Sequence, residues 1–375
     1  HAVAAAADDG LRRHAADPEP APLWSPSPGI LRATAADPMT WFADERGALT
    51  VAVRQAADSG RGVAAWTIAQ RLDGYLDLVG YLDERDWLLR NGLRAAVKAG
   101  DRRGEACLLH RMAHAQNTRD DFAAAQTTID RASTLYRELG DARGIGCLMA
   151  RSGHLARMVG DLPQAVELGE QAVAAAEEAG DPEVLADALT ELSLTLRDAG
   201  RPAEALALLE RAGTLEMADI MRSWVLHVHG VQLRDAGRLA EAEEPLLEAH
   251  AMVSRLRADR LVATTGVILA LLYAGQGRDG EAERLANRSL EHFRLIGQPW
   301  GVGTSISVLG RVARNRGELV SAATHFREAL AIWRRLGMPK RVAEMLTTLA
   351  EICEEMGDAE AAAVYQAERA SLASA

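Results

Sequence analysis

Apolar residues recur every three or four positions over stretches of about 17 residues, as in 162–179 and 202–215. This spacing predicts amphipathic helices, and a glycine followed by a polar residue separates one helix from the next. One series of such pairs has spacings of 40, 37, 40, 40 and 40 residues and begins at Gly160, Gly200, Gly237, Gly277, Gly317 and Gly357. A second series lies half a period away, at Gly100, Gly140, Gly180, Gly297 and Gly337. Because glycine adopts the left-handed conformation that ends a helix, the pattern predicts a repeated helix–turn–helix unit of 40 residues.

Small residues also recur at fixed positions of each unit. Seven residues before the first-series glycine stand Gly153, Ser193, Gly230, Ala270, Gly310 and Ala350. Five residues after it stand Ala165, Ala205, Ala242, Ala282, Ala322 and Ala362. Small side chains let helices approach closely. A single helix pair cannot bury its apolar side alone, whereas stacked pairs can, so the sequence predicts an all-α solenoid.

Composition agrees with this architecture. Of the 375 residues, 48% are apolar but only 4% are aromatic, so alanine, leucine and valine supply most of the core. A length of 375 would ordinarily indicate two or three domains, but the repeat favours one elongated array with a short N-terminal piece. The net charge of −11 gives the whole chain no electrostatic reason to bind nucleic acid.

Two further properties indicate a cytoplasmic protein. The three cysteines are odd in number and widely spaced, which argues against a disulfide framework. No apolar run approaches the ~18 residues that cross a membrane. We therefore expect a cytoplasmic chain without membrane contact.

The repeated positions resemble those of the tetratricopeptide repeat family, in a longer form of about 40 residues. The match is clear in Leu309-Gly310, Gly317, Ala322, Phe326 and Ala329, and similar sets occur around Gly153 and Ser193. With seven copies in phase, the resemblance covers about residues 62–370. It implies a right-handed α-solenoid of about seven to eight repeats.

The N-terminal region differs in character from the repeats. Residues 1–17 have a helical pattern without a visible beginning, and five prolines from Pro18 to Pro28 surround Trp24. We therefore interpret 1–37 as the end of a preceding domain plus a Pro-rich linker or extended strap. Residues 38–98 would form N-terminal helices and a degenerate repeat, and 99–375 the superhelix.

A resemblance to larger regulators is carried by the segment 38–60, by Trp66 and by the stretch GYLDERDWLLRNGLRAAVKAGDRRGEA. They are similar to the C-terminal repeat arm of bacterial STAND-type signal-transduction ATPases and of Streptomyces antibiotic regulatory protein (SARP) transcription regulators. The resemblance implies a sensor or scaffold arm of a larger regulator. DNA binding and ATP binding would then belong only to other domains of that parent protein.

Motifs for catalysis are absent or misplaced in the sequence. Residues 275–280, GQGRDG, formally match a dinucleotide fingerprint, but they follow a helical segment and coincide with a repeat turn. The chain has no phosphate-binding loop ending in Gly-Lys-Ser/Thr, no HExxH and no Gly-x-Ser-x-Gly. We therefore expect no cofactor, no catalytic residues and no enzymatic activity.

Cys107, His110 and His114 lie on one helical face, and Cys147 and His154 occupy equivalent positions one unit later. Sulfur and imidazole are zinc ligands, so a metal-containing enzyme is a remote alternative. Other units carry no such ligand set on this face. A polar groove lined by histidine and cysteine is therefore the preferred interpretation, and we assign no metal site.

In the tetratricopeptide family, the first helix of each pair lines the concave surface and its exposed face binds the ligand. Carried onto this sequence, the resemblance implies that the groove is lined by His110, His114, Asn117, His154, Arg157, Arg197, Trp224, His227, Arg234, Arg311 and Arg314.

Four of these arginines, Arg157, Arg197, Arg234 and Arg314, stand at one position of the unit. One interpretation is an anion-binding stripe, because guanidinium groups suit carboxylate and phosphate. The favoured alternative is a cation that complements the carboxyl end of each helix, often beside an aspartate.

Taken together, the sequence predicts a non-catalytic sensor or interaction domain of a larger, transcriptional regulator. Its groove would bind a protein segment or a small effector, with an anionic ligand as one option. The alternative from a different class is a stand-alone scaffold or oligomerisation module without an effector, so a homo-oligomer stays open.

Overall fold

The computed structural model describes residues 2–8 and 26–373, and within these ranges every regular element is a helix. The N-terminal helices are α1 (Ala2–Asp8), α2 (Pro28–Ala36) and α3 (Pro38–Asp58). Helix pairs follow: α4 (Gly62–Val79), α5 (Leu82–Lys98), α6 (Arg102–Thr118), α7 (Phe122–Glu138), α8 (Ala142–Val159), α9 (Leu162–Ala179), α10 (Pro182–Asp198) and α11 (Pro202–Gly213). The later pairs are α12 (Asp219–Asp235), α13 (Leu239–Arg255), α14 (Asp259–Gly275), α15 (Asp279–Leu295), α16 (Pro299–Asn315), α17 (Leu319–Arg335), α18 (Pro339–Glu355) and α19 (Ala359–Ala373). The predicted all-α architecture of helix–turn–helix repeats is confirmed.

The helices divide into two units. Unit 1 comprises His1–Gln232 and Ala251–Asp259, and unit 2 comprises Leu233–His250 and Arg260–Ala375. The sequence-based boundaries after residues 37 and 98 stay predictions. No helix in the described ranges is both long and apolar enough to cross a membrane.

The N-terminal region is more helical than the sequence suggested. Pro18, Pro20, Pro22 and Trp24 lie outside the described residues. Pro28 does not extend a strap but begins α2, where Ser27 caps the helix by accepting a hydrogen bond from the backbone N–H of Ile30. Proline fits the first helical position because that residue needs no intrahelical donor.

Left-handed residues end the first helix of a repeat, as the glycine series predicts. Gly160, Gly200 and Gly317 have φ values of 93°, 78° and 77°. Asp120 takes the place of a first-series glycine after α6, with a φ of 62°. Arg257 takes the place of a second-series glycine after the second helix α13, with a φ of 51°. The 40-residue geometry is therefore kept even where a side chain makes the turn less favourable.

Single carboxylates join consecutive repeats in unit 1. Asp101, Asp141 and Asp181 cap the N-termini of α6, α8 and α10 with one side-chain oxygen. The second oxygen accepts a hydrogen bond from the preceding repeat, for example from Trp66 Nε1 to Asp101 at 2.7 Å and from Arg103 Nη1 to Asp141 at 3.0 Å. Each aspartate thus fixes both a helix start and the contact between neighbouring pairs.

Buried aromatic rings occupy the space that glycines leave open. A Cβ at Gly104 would lie 2.5 Å from Nε1 of Trp66, and a Cβ at Gly144 would lie 2.5 Å from Cδ1 of Tyr136. Trp66 and Tyr136 are fully buried. The Trp66 ring fills the gap between the first helices α4 and α6, and the Tyr136 ring fills the gap between the second helix α7 and the next first helix α8.

We expect Gly144→Ala to lower the free energy of unfolding by about 1–3 kcal/mol, because the new methyl group overlaps the Tyr136 ring. Gly280→Ala is the matched control, since a Cβ there meets nothing closer than 3.7 Å. Helix propensity alone should make that control more stable by about 0.5–1 kcal/mol. Urea denaturation measures both, and equal effects of the two substitutions would contradict the packing argument.

Candidate ligand-binding face

The predicted site residues share one face of the first helix of each repeat. We define the A face as the positions 13, 10, 6 and 3 residues before the left-handed turn residue. In unit 1 it belongs to α4, α6, α8, α10 and α12 as far as Gln232. In unit 2 it belongs to α12 from Leu233, then α14, α16 and α18.

At the start of unit 1, a buried arginine of the second helix α5 bonds to two carboxylates of the first helix α4. Arg85 of α5 is 1% exposed and donates from Nε to Asp73 at 2.7 Å and from Nη1 to Asp77 at 2.6 Å. Burial lowers the pKa of Arg85, but the two carboxylates outweigh it and raise the pKa above its usual value.

His114 belongs to the same network. Nη2 of Arg85 lies 2.9 Å from Nδ1 of His114. A guanidinium only donates, so Nδ1 must accept and His114 must be neutral, with its proton on Nε2. Asp73 also accepts from Nη1 of Arg111 at 3.1 Å. The imidazole is therefore oriented by the protein itself.

A second network joins α8 to α10. Arg151 donates to Asp187 at 2.9 Å and approaches Glu191 at 3.5 Å. Nδ1 of His154 lies 3.0 Å from Glu191, and Nη1 of Arg157 lies 3.1 Å from Asp198. The face between these two repeats is thus lined by charges that compensate one another.

The electrostatics of this network keep Glu191 ionised and His154 neutral. Burial raises the pKa of Glu191, but Arg151 and then His154 outweigh it, so the carboxyl pKa falls well below its usual range. Burial lowers the pKa of His154, and the opposing effect of Glu191 does not restore it. His154 is therefore neutral at pH 7 and donates its Nδ1 proton to Glu191.

All four members of the arginine column have a carboxylate partner. Arg157 and Arg197 both bond to Asp198, and Nε of Arg234 donates to Asp235 at 3.0 Å. Arg314 donates to Glu351 at 2.8 Å and also bonds to Glu355. The column does not present a row of uncompensated cations.

Two aromatic side chains stack on the A face of unit 1. The rings of Trp224 and His227 have centroids 5.3 Å apart and an interplanar angle of 14°. Trp224 is half-buried and packs against the apolar cluster that contains Met221 and Val225. His110 instead meets the ring of Tyr136 edge-on at 6.5 Å.

Several buried polar atoms on this face have no hydrogen-bond partner within the described ranges. They include both amide atoms of Gln70, Oδ1 of Asn117, Nε of Arg157 and Nη1 of Arg234. A buried polar atom left unsatisfied costs about 1–3 kcal/mol. The A face therefore retains hydrogen-bonding capacity that the chain itself does not use.

The repeat geometry and its side-chain pattern agree with comparisons to known proteins. A tetratricopeptide repeat family model matches residues 144–213 and 302–374. These two segments are tetratricopeptide repeats. No curated protein matches the sequence.

Solved structures with these repeats are similar in fold. A Rap protein complexed with competence and sporulation factor has a TM-score of 0.60 at 12% identity, with 88% of this chain and 98% of that chain covered. The Rap conjugation gene regulator of plasmid pLS20, in complex with the Phr* peptide, has the same score and identity, with 88% and 94% covered. The apo quorum sensor NprR from B. thuringiensis has a TM-score of 0.55 at 12% identity, with 88% and 99% covered. At this identity the likeness shows the fold alone.

The tetratricopeptide repeats do not assemble the cysteine and histidine side chains into a metal centre. Cys107 is fully buried, and Nδ1 of His114 is occupied by Arg85. Across residues 2–8 and 26–373, no three His, Cys, Asp or Glu side chains are grouped as metal ligands. The zinc alternative therefore has no support from the geometry.

Sequence reasoning missed several residues that shape this face of the repeats. Arg71, Arg111 and Arg151 recur every 40 residues, which is a detectable signal at a position we did not consider. Gln70 belongs to the degenerate first repeat, where the register was hardest to extend. Arg85 lies on a second helix, and nothing in the repeat pattern marks it.

We expect Arg85→Met to lower the free energy of unfolding by about 3–5 kcal/mol, because the buried Asp77 would lose the Arg85 guanidinium and the buried Asp73 would keep only Arg111. The control is Arg102→Met, since Arg102 pairs with Glu138 at the exposed surface and such pairs contribute little. Urea midpoints check both variants. A loss at Arg85 no larger than at Arg102 would contradict the assigned network.

His154 should make stability depend on pH just below neutrality. Its pKa is lowered from 6.5 in the folded chain, so below that pH the unfolded chain binds a proton that the folded chain does not. Stability should therefore fall as pH drops from 7.5 to 5.5, and less steeply in His154→Gln. Glu191 contributes only below about pH 4.5, outside this window. Urea midpoints at the two pH values measure the difference, and parallel profiles would contradict it.

Proposed function

We propose that this chain is a non-catalytic sensor or interaction domain that binds a peptide or protein segment on the A face of its tetratricopeptide repeats. The observation that carries the proposal is the set of buried, unsatisfied polar atoms at Asn117, Arg157 and Arg234. Folding leaves these groups dehydrated, and a ligand with complementary groups relieves the resulting penalty.

The chemistry of unit 1 favours a polypeptide as the ligand. The side-chain amide of Asn117 combines donor and acceptor atoms, which matches the N–H and C=O groups of an extended backbone. Most charged groups here already pair with each other, so recognition depends on amides and on the Trp224–His227 stack rather than on net charge. The two Rap structures are complexes with competence and sporulation factor and with the Phr* peptide, which is consistent with this ligand class.

The wider context of the proposal is a larger cytoplasmic regulator of transcription. It rests on the resemblance of residues 38–60, Trp66 and residues 80–106 to the arms of STAND-type and SARP regulators. In that setting ligand binding across neighbouring repeats would alter their packing and thereby reposition an attached module. A stand-alone scaffold or oligomerisation module is the alternative, and it requires no effector.

Binding is tested with the full chain as bait for peptides from a lysate of the source organism, followed by titration of a synthetic copy of any retained peptide. We expect Asn117→Ala to weaken binding about 2- to 10-fold through one lost hydrogen bond. Trp224→Ala should weaken it about 30-fold or more if the ring is an anchor.

The matched control is Gln171→Ala on the exposed surface of the second helix α9, which should leave affinity unchanged. Circular dichroism confirms that each variant keeps its helices. A peptide whose affinity is equal in all three variants and the original chain would refute binding on the A face.

The regulatory context is tested by sequencing the gene upstream of the codon for His1. A reading frame that encodes a nucleotide-binding loop and a DNA-binding domain would support a sensor arm. A start codon immediately upstream would support the scaffold alternative instead.

A further inference from the structure

Unit 2 contains an arginine whose charge the protein does not compensate directly. Arg311 of α16 is exposed, and no carboxylate of the described chain lies within ion-pair distance of it. One turn later on the same helix, Arg314 is held by Glu351 and Glu355 of α18. Two arginines at adjacent turns thus differ completely in their partners.

The electrostatic environment of Arg311 is cationic on balance. Although Arg311 reaches the surface, neighbouring protein atoms displace part of its water and lower its pKa, and Arg234 and Arg314 act in the same direction. Glu344 is the one opposing charge of consequence. A surface cation with a depressed pKa has lost hydration without gaining a counter-ion.

Arg234 offers donors toward the same region. Its Nε and Nη2 both bond to a single oxygen, Oδ1 of Asp235. Its Nη1 is buried and has no hydrogen-bond partner in the described part of the chain. This arrangement leaves Nη1, one of the two terminal nitrogens of the guanidinium, without a hydrogen-bond partner among the described residues.

The repeat between these two arginines places no charge at the corresponding positions. In α14 they are occupied by Leu271 and Ala274, and the helix carries no carboxylate after Asp259. A side chain of α14 therefore neither neutralises Arg311 nor satisfies Nη1 of Arg234. Within the described chain, the two arginines therefore lack a negative charge between them, and an external anion could supply it.

We propose that Arg234 and Arg311 form a binding site for one oxyanion, a carboxylate or phosphate group of the ligand. This inference rests on the proposed function, because it specifies one chemical group of a ligand on the A face. Guanidinium donors bind such oxygens through charge-assisted hydrogen bonds. The anion would use the vacant Nη1 donors and offset the repulsion between the two cations.

The site is tested in the full chain by isothermal titration with inorganic phosphate and, separately, with hexaglutamate, at constant ionic strength balanced with chloride. We expect saturable binding of at least one probe, weakened 10-fold or more in Arg311→Gln. The control Arg316→Gln removes an exposed arginine that pairs with Glu283 and should leave binding unchanged.

Thermal unfolding without anion supplies a second, independent readout. Arg311→Gln should raise the melting temperature or leave it unchanged, because it removes uncompensated repulsion, whereas Arg316→Gln removes an existing pair. The probe should then stabilise the original chain and not Arg311→Gln.

Preference for hexaglutamate would identify an acidic peptide group, and preference for phosphate would identify a phosphate group; either result supports the site. Equal binding by the original chain and Arg311→Gln, or no binding of either probe, would overturn it. The Asn117 and Trp224 variants test unit 1 independently. Loss of the oxyanion site with retained peptide binding there would therefore leave the proposed function intact.

Discussion

A helix pair of 40 residues buries its apolar side only against the next pair, and this constraint governs the rest of the structure. Close stacking requires small residues where helices touch, and it leaves room for a single large ring at Gly104 and at Gly144. It also requires the first helix of each repeat to begin at a fixed place. Asp101 and Asp141 meet that need because one carboxylate caps a helix and bonds to the preceding repeat.

The same stacking brings polar side chains of successive first helices into contact. Where opposite charges coincide, as in Arg151 with Asp187 and Glu191, they compensate each other and lose their solvent. Buried pairs of this kind add little net stability compared with apolar packing, but removing one partner is costly. They therefore specify which repeats can be neighbours while keeping the A face polar.

The two units consequently differ in what they offer a ligand. In unit 1, Arg85, Arg151 and Arg157 are taken up by internal carboxylates, so unsatisfied amides and an aromatic stack remain. In unit 2, Arg311 has no such partner and Arg234 keeps an unused donor. A histidine or arginine on this face can bind a ligand only where the folded chain leaves one of its polar atoms without a partner.

The sequence by itself determined the architecture, because the relevant signals are local. The helix period, the left-handed glycines and the small contact residues each act within one 40-residue repeat, so they determine the helix pairs. The turns at Asp120 and Arg257 follow from the same spacing. The face that carries Asn117, Trp224 and Arg311 was also predictable from register.

Only the tertiary structure decided which groups on that face remain unsatisfied. The partners of His114, Arg157 and Arg314 lie 29 to 41 residues away in the chain. Such pairing depends on side-chain reach between stacked helices, for which the repeat pattern carries no signal. The four aligned arginines look equivalent in sequence, yet Arg234 bonds to the adjacent Asp235 whereas Arg314 bonds to Glu351 and Glu355 of another helix, because packing decides which carboxylate a guanidinium reaches.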